Sequence, residues 1–205
     1  MPCRLFNPTQ QQIVDSLART DRHERDAGIR NDLSLKALSP DVAELLAQLI
    51  VHRSARVVAE FGTSHGYSTL HLAAAADLTD GHVWSVESIP EKSAHAAAHL
   101  ADAGLSDRVS LVAGDGGVFA DDLPHGIDLA LIDYGIPAFA PAYDALRRRL
   151  APGGLMFFDG GPDGYWQTDG IREFKQRLDD DPDLLVSLIA MRKQQLIAVR
   201  ASRIG

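Results

Sequence analysis

The stretch Val58-Ala59-Glu60-Phe61-Gly62-Thr63-Ser64-His65-Gly66-Tyr67-Ser68 decides the fold that we predict for this chain. It joins an apolar run, 57–60, which is typical of a buried strand, to an Ala- and Leu-rich helical segment, 66–76. Gly62 and Gly66 allow a tight turn in which the backbone can approach a ligand closely. The helix that follows points unpaired N–H groups at that ligand. The stretch therefore predicts a strand, loop and helix with a ligand at the loop, although a merely structural turn would also use these glycines.

Further along the chain, short apolar runs alternate with helical segments, a pattern typical of parallel strands joined by crossover helices. Two late runs are separated by only three residues, too few for a crossover, and so predict an antiparallel hairpin. The predicted strands are 57–60, 82–87, 109–113, 127–133, 155–159, 184–190 and 194–200. The predicted helices among them are 66–76, 90–103, 137–150 and 169–178. The expected fold class is therefore α/β, a doubly wound, Rossmann-like and mostly parallel sheet of seven strands with an antiparallel C-terminal hairpin.

Proline and glycine residues indicate further boundaries between segments of the chain. Residues 1–35 are predicted as an N-terminal helical or lid-like segment, begun by the helix start Asn7-Pro8 and followed by the main domain, 36–205. A second helix should begin at Ser39-Pro40-Asp41 and pack on the sheet. Pro152-Gly153-Gly154 predicts a turn before the fifth strand.

Composition narrows the class of protein. A chain of 205 residues with 45% hydrophobic content suits one α/β domain with a substantial core. Its formal net charge of −8 argues against nucleic acid and against an anionic membrane surface as partners. Cys3 is the single cysteine, and no apolar run approaches the roughly 18 residues of a membrane span. We therefore expect a soluble, cytoplasmic protein without disulfides.

A carboxylate at the end of the second predicted strand indicates the class of ligand. Glu87 can accept hydrogen bonds from both hydroxyls of an adenosine ribose, which nicotinamide dinucleotides and S-adenosylmethionine share. Dinucleotide folds favour G-x-G-x-x-G, whereas this loop has Gly62-x-x-x-Gly66 and places Thr63 where the second glycine would stand. The pattern therefore favours S-adenosylmethionine, and a nicotinamide cofactor is the minor alternative.

Further acidic residues stand where the other predicted strands end. Asp115 and Gly116 follow the third strand in a short loop that could border an adenine, with an ordinary Gly-Asp turn as the alternative. Asp133 ends the fourth strand and Asp159 ends the fifth. Because ligands of doubly wound sheets bind beyond the carboxyl ends of the strands, these side chains are the candidates for the chemistry.

Together these motifs resemble the class I S-adenosylmethionine-dependent methyltransferases, and within them the catechol and caffeoyl-CoA O-methyltransferase group. The resemblance covers about residues 36 to 200. It rests on Glu60-Phe61-Gly62-Thr63-x-x-Gly66-Tyr67-Ser68, on Glu87 with its strand, on Leu150-Ala151-Pro152-Gly153-Gly154, and on the terminal hairpin.

The resemblance implies a cofactor site in which Glu60 orders the glycine loop, Glu87 holds the ribose, and Asp115 and Gly116 lie against the adenine. The methionine moiety would meet the loop itself and the residue before the second helix. The implied cofactor-binding residues are Leu38, Glu60, Gly62, Thr63, Ser64, Gly66, Ser68, Glu87, Ser88, Asp115, Gly116, Asp133 and Tyr134.

The resemblance also implies a metal site, from which this sequence departs. The members that use a divalent ion bind it through an aspartate that matches Asp133 and an Asp-Asn pair, of which Asp159 matches the first residue and Gly160 stands at the second. The lysine that serves those members as a base is replaced by Ile136. Asp133 and Asp159 are thus the implied catalytic residues and candidate metal ligands, but we expect magnesium or calcium to bind weakly or not at all and to be dispensable.

Histidines offer replacement bases for the missing lysine. His65 in the glycine loop and His125 before the fourth strand are the two candidates. His95 and His99 share a helix face with Glu91, and we interpret that face as solvated.

The acceptor follows from the resemblance alone. It implies O-methylation of a small phenolic or catechol-like molecule, with Tyr165 and Trp166 stacked on it, although both rings could instead pack within a surface loop. An amine or carboxyl acceptor and a catalytically inactive adenosyl-ligand binding protein are the alternatives. A homodimer is also expected from the resemblance.

Overall fold

The computed structural model of the chain describes residues 4–29, 31–133, 139–191 and 193–201. Cys3, Tyr134 and Ile136 lie outside the described residues. Among the described residues, the strands are β1 Val57–Phe61, β2 His82–Glu87, β3 Val109–Ala113, β4 Ile127–Ile132, β5 Leu150–Gly161, β6 Leu184–Ala190 and β7 Gln194–Arg200. The helices are α1 Pro8–Asp26, α2 Pro40–Arg53, α3 Tyr67–Leu78, α4 Pro90–Asp102, α5 Gly116–Asp122, α6 Phe139–Arg147 and α7 Ile171–Asp179.

The strands form one sheet in the order β3-β2-β1-β4-β5-β7-β6. Strands β1 to β5 pair in parallel, and β7 pairs antiparallel with both β5 and β6. Within the described residues β7 is therefore the antiparallel strand of an otherwise parallel sheet, so the predicted seven strands and the predicted terminal hairpin are confirmed.

Side chains of alternate residues in each central strand enter opposite faces of the sheet, as the two-residue period of a strand requires. In β4, Leu131 packs with α1 to α4, whereas Ile132 packs with α5 to α7. Phe157 and Phe158 of β5 divide in the same way. Because both faces are covered, the strands are apolar almost throughout, and the doubly wound arrangement predicted from the sequence is confirmed.

The N-terminal helix is fixed at its start by a capping box between Asn7 and Gln10, whose side chains each accept the other's backbone N–H at 3.0 Å. Its buried Val14 and Leu17 belong to the same apolar cluster as Leu70 of α3. Residues 8–26 therefore share the core of the main domain. No helix in the described ranges is both long and apolar enough to cross a membrane.

The prediction of a turn before the fifth strand is wrong, because β5 includes the residues that were expected to form that turn. It begins at Leu150, five residues earlier than expected, and the register jumps from Ile127↔Leu150 to Leu129↔Leu155. Pro152-Gly153-Gly154 is thus a bulge inside the strand, with Gly153 at φ +73° in the left-handed region. The proline and glycines interrupt the ladder without ending the strand, because the residues on both sides of them still pair with β4.

Helix α5 was not predicted. Its N-cap, Asp115, accepts hydrogen bonds from the backbone N–H of Gly117 and Val118 at 2.8 and 3.3 Å. The glycines at 116 and 117 carry no apolar periodicity, which is why the sequence indicated a loop there.

Candidate active site

A cleft of about 490 Å³ opens beyond the carboxyl ends of the central strands. The strand order reverses between β1 and β4 in this sheet, and doubly wound folds bind their ligands at such a point. The cleft is lined by Arg25, Lys36, Ala37, Gly62, Ser64, Glu87, Ser88, Lys92, Asp133, Asp159, Gly160, Tyr165 and Lys193. The structure thus brings seven of the sequence-predicted site residues into one cleft: Gly62, Ser64, Glu87, Ser88, Asp133, Asp159 and Tyr165.

The glycine loop after β1 is tied to β2. The N–H groups of Gly62 and Thr63 both donate to the Val86 carbonyl, at 3.0 and 3.2 Å, and the N–H of Ser64 donates to Glu87 Oε2 at 2.8 Å. Gly62 stands at φ +107°, a conformation that side chains disfavour. The loop is therefore held in one conformation with Glu87 beside it, and Gly62, Ser64 and Glu87 together form one wall of the cleft.

Glu60 lies beneath this loop and is fully buried. Its Oε2 accepts from Thr69 Oγ1 and Ser85 Oγ, both at 2.6 Å, which joins β1 to α3 and β2. Burial raises the pKa of Glu60, and the hydroxyls of Ser68, Ser85 and Thr69 partly offset that effect. These contacts suit a residue that orders the loop from behind.

Several of the proposed cofactor residues also stand behind the loop or beside it and do not line the cleft. Thr63, Ser68 and Leu38 are buried. Gly66 packs against α4, where a Cβ at this position would lie 3.2 Å from the Ala96 Cβ. Asp115 is exposed, and its carboxylate caps α5 by accepting hydrogen bonds from the N–H groups of Gly117 and Val118, the two residues after Gly116.

The N-terminal segment lies against the glycine loop. Ser64 Oγ donates to the Leu35 carbonyl at 2.6 Å, and the His65 ring Nε2 hydrogen-bonds with the Leu33 carbonyl at 2.9 Å. Helix α1 holds the same segment from the other side, since Glu24 Oε2 accepts from the Leu35 N–H at 2.7 Å. Hydrogen bonds from the glycine loop and from α1 thus hold this part of the N-terminal segment beside the cleft.

The opposite wall of the cleft carries two carboxylates and a lysine. Lys193 Nζ donates to Asp159 Oδ2 at 2.6 Å, and Gln195 Nε2 donates to Asp159 Oδ1 at 3.2 Å. The Asp159 side chain is 3% exposed, whereas that of Lys193 is 44% exposed and faces the cleft. Burial and the negative charge of Asp159 hold the pKa of Asp133 well above its usual range, although Lys193 acts against this rise.

The donor set on this wall does not fit a divalent ion. Magnesium or calcium needs about six oxygen ligands, and both Asp159 oxygens already accept hydrogen bonds from Lys193 and Gln195. Gly160 offers no side-chain oxygen, and a Cβ built on it would overlap the Gln194 carbonyl oxygen and the Trp166 ring. No cluster of three His, Cys, Asp or Glu side chains with metal-site geometry occurs in the described part of the chain.

The two aromatic residues that were predicted to stack on the acceptor occupy different environments. Tyr165 lines the cleft, where burial and Asp159 raise the pKa of its hydroxyl. Trp166 is 0% exposed, stacks on Phe139 and donates its Nε1–H to the Gln194 carbonyl at 2.8 Å. The expectation that Trp166 stacks on an acceptor is therefore wrong, because the core on the α5–α7 face encloses the whole ring.

Two interpretations of histidines are also corrected. His125 is exposed and precedes β4 at its amino end, away from the cleft, so it cannot replace the missing base. The face of α4 that carries His95 and His99 is not simply solvated, since His99 Nδ1 hydrogen-bonds with the His65 carbonyl at 2.9 Å. His95 lies on the His65 ring, with the two centroids 4.9 Å apart.

Four basic residues of the cleft were missed from the sequence: Arg25, Lys36, Lys92 and Lys193. Lys193 lies in the three-residue link between two predicted strands, which carries no motif. The only available signal was the predicted hairpin, which would have placed that link beside the end of β5 if the pairing of β7 with β5 had been known.

Comparisons with known proteins agree with this geometry. Residues 59–160 match a family model described as a methyltransferase domain. A protein-L-isoaspartate O-methyltransferase of Anaeromyxobacter dehalogenans strain 2CP-C is 35% identical over 137 residues, which are 66% of this chain and 59% of the relative. The chain thus spans about six tenths of that relative's length. A relative with the same name from strain 2CP-1 is 31% identical over 74% of each chain.

Solved structures share the fold over almost the whole chain. Cofactor-bound Rv0187 from MTB superposes with a TM-score of 0.77 at 25% identity, covering 92% of this chain and 91% of that one. The O-methyltransferase TomG from Streptomyces achromogenes, which is involved in tomaymycin synthesis and was solved with S-adenosylmethionine, gives 0.76 at 24% identity, covering 92% and 90%. The likeness to TomG shows the fold alone.

Proposed function

Because this chain belongs to the class I S-adenosylmethionine-dependent methyltransferases, we propose that it methylates an oxygen atom of a small, acidic, phenolic or catechol-like molecule. The observation that carries the proposal is that a donor-binding wall and a charged wall line the same cleft of about 490 Å³. A cleft of this size is in the range of small-molecule sites, and the donor fills part of it. A small acceptor suits the space that is left.

The donor-binding wall fits S-adenosylmethionine. Glu87 would hold the ribose hydroxyls, and the backbone of Gly62 with Ser64 would border the methionine moiety. When bound, S-adenosylmethionine supplies a methyl group on a positively charged sulfur. The residues of this chain contribute mainly by holding the acceptor oxygen in line with that methyl group, since orientation alone accounts for much of the acceleration in such displacements.

The charged wall suits an acceptor oxygen that is already anionic or readily loses its proton. Lys193 and Lys36 place positive charge at the cleft, and the Tyr165 hydroxyl, which stays protonated because its pKa is raised, can donate a hydrogen bond. An acidic phenol can bind to these groups as its anion, so its methylation needs no strong base on the protein. A neutral amine acceptor would gain nothing from the lysines.

A carboxylate acceptor is the second candidate, and the names of the curated relatives favour it. Both relatives above are protein-L-isoaspartate O-methyltransferases, which points to a carboxyl group on a polypeptide. The same positive charge at the cleft would suit that group. The low identity and partial coverage leave this as the alternative to the small phenol.

The test is transfer of radiolabel from methyl-tritiated S-adenosylmethionine to a panel of acceptors. The panel contains catechol, caffeate and 4-nitrophenol, a peptide with one isoaspartyl residue, its aspartyl counterpart and an aromatic amine. We expect methylation of at least one phenol and little label on either peptide. Label on the isoaspartyl peptide alone would establish the second candidate. Donor binding without transfer to any member would favour a catalytically inactive binding protein.

A further inference from the structure

The acceptor side of the cleft contains an ion pair between Lys193 and the buried Asp159. Asp133 and Asp159 follow adjacent positions of the paired strands β4 and β5, whose last aligned residues are Ile132 and Phe158. Two neighbouring carboxyl groups in a poorly solvated place can both be ionised only if a positive charge lies close by. The structure supplies that charge from Lys193, whose ammonium lies 2.6 Å from Asp159 Oδ2.

The surroundings of Asp159 fix this ion pair. Gln195 is fully buried and donates its amide N–H to the second Asp159 oxygen, so the carboxylate is held at both ends. Strand β7, which carries Gln195, pairs with β5 and thereby sets where Lys193 emerges. The glycine at 160 is required by the same packing, because the Gln194 carbonyl oxygen occupies the space of a side chain there.

We propose that Lys193 is the resident cation of the acceptor site: its ammonium bridges the Asp133 and Asp159 wall to the cleft and binds the acceptor oxygen as an anion, where a divalent ion would otherwise be needed. An ammonium has three N–H donors, of which Asp159 Oδ2 takes one, so donors remain for a ligand. Nearly half of the Lys193 side chain is exposed, and it lines the cleft. The acceptor half of this inference rests on the proposed function.

A fixed ammonium differs from a bound metal in what it selects. It offers a single charge and directional N–H groups, and it cannot chelate two adjacent oxygens in the way a divalent ion does. The site therefore takes acceptors with one acidic oxygen, such as a phenolate or a carboxylate, and gains little from a neighbouring second hydroxyl. Among the phenols of the panel, 4-nitrophenol should be preferred over catechol.

The first test is independent of activity and uses manganese(II) as the probe, with binding to the full chain followed by electron paramagnetic resonance. The variants are Lys193→Ala, Lys193→Gln, which keeps a donor for Asp159, and Lys36→Ala, which removes a positive charge from the rim of the same cleft. We expect Lys193→Ala and Lys193→Gln to bind manganese at least about tenfold more tightly than wild type. Lys36→Ala should bind as wild type does, and adding Asp159→Asn to Lys193→Ala should abolish the gain.

Two manganese results would overturn the proposal. Wild type that binds manganese as tightly as the lysine variants would show a true metal site, in which Lys193 does not take the place of the cation. Lysine variants that gain no affinity would show that the two aspartates do not form a cation site. Thermal melting and calorimetry with S-adenosylhomocysteine establish that each variant is folded.

The second test uses the acceptor identified by the radiolabel panel. Lys193→Gln should raise the KM for that acceptor about tenfold to a hundredfold, the range for losing one charge-assisted hydrogen bond, and change the KM for S-adenosylmethionine less than twofold. EDTA should leave wild-type turnover unchanged. Loss of turnover with EDTA and recovery with magnesium, or an unchanged acceptor KM in Lys193→Gln, would refute the assignment. If no member of the panel is methylated, the proposed function fails while the manganese result still decides the role of Lys193.

Discussion

At the end of β2, the carboxylate of Glu87 is held by the backbone on both sides. Its Oε2 accepts from the Ser64 N–H at 2.8 Å and its Oε1 from the Ile89 N–H at 2.9 Å. Oε2 has a further lone pair, Oε1 also accepts a long hydrogen bond from Ser88 Oγ at 3.4 Å, and the residue borders the cleft. A ligand hydroxyl therefore meets a carboxylate that is already held in position by the backbone.

Replacing Glu87 by alanine should weaken the binding of S-adenosylhomocysteine about tenfold to a hundredfold. The reason is the loss of a charge-assisted contact of about 1.5–3 kcal/mol to the ribose. Calorimetry on wild type and Glu87→Ala measures this difference. Glu91→Ala, an exposed carboxylate in the first turn of α4, is the matched control and should bind as wild type does. Equal affinities for Glu87→Ala and wild type would remove Glu87 from the ribose site.

At the scale of elements, α3 packs against the N-terminal segment through a buried histidine. His71 is 3% exposed, its Nδ1–H donates to the Tyr67 carbonyl at 2.9 Å, and its ring meets the edge of Phe6 with centroids 4.8 Å apart. Burial lowers the pKa of His71 to about 4. The imidazole is therefore neutral in the native state at neutral pH.

This packing should make the protein sensitive to mild acid. Because the native pKa of His71 lies below its unfolded value of 6.5, the stability linked to it is present above pH 6.5 and is lost as pH falls toward 4. The loss amounts to about 3 kcal/mol at about 1.4 kcal/mol for each pKa unit. His71→Leu should lack this part of the pH dependence when unfolding by urea is measured between pH 7 and pH 4. The exposed His125→Leu is the control, and parallel curves for wild type and His71→Leu would contradict the prediction.

For the molecule as a whole, a ligand that binds only the folded state should raise the free energy of unfolding by an amount set by its concentration relative to its Kd. At a concentration one hundred times its Kd, S-adenosylhomocysteine contributes about 2.7 kcal/mol to the free energy of unfolding. For a domain of this size that raises Tm by roughly 5–10 °C. NAD at the same concentration should leave Tm unchanged, since the glycine loop lacks the spacing that seats a pyrophosphate. Differential scanning fluorimetry with each ligand measures the two Tm shifts. A Tm shift with NAD and none with S-adenosylhomocysteine would show that the cofactor is a nicotinamide dinucleotide.

Local sequence determined the sheet and the wall of the cleft that the glycine loop and Glu87 form. The predicted apolar runs overlap β1 to β7, although β5 begins five residues earlier than predicted. The central strands are buried on both faces and are therefore apolar almost throughout. Gly62 directly follows one such run, and Glu87 ends another. The end of each strand can be predicted from the sequence, because it is where an apolar run stops. Their convergence at one edge then follows from parallel pairing.

The acceptor wall was decided only by the tertiary structure. Trp166 and Tyr165 are neighbours in the chain, yet the fold buries one ring completely and leaves the other at the cleft, which no local pattern distinguishes. Lys193 carries no motif, and it reaches Asp159 across 34 positions of the chain because β7 inserts between β5 and β6. Sequence periodicity reports which residues are buried, but an ion pair between distant segments depends on strand order and register, and those are set by the packing of the whole sheet.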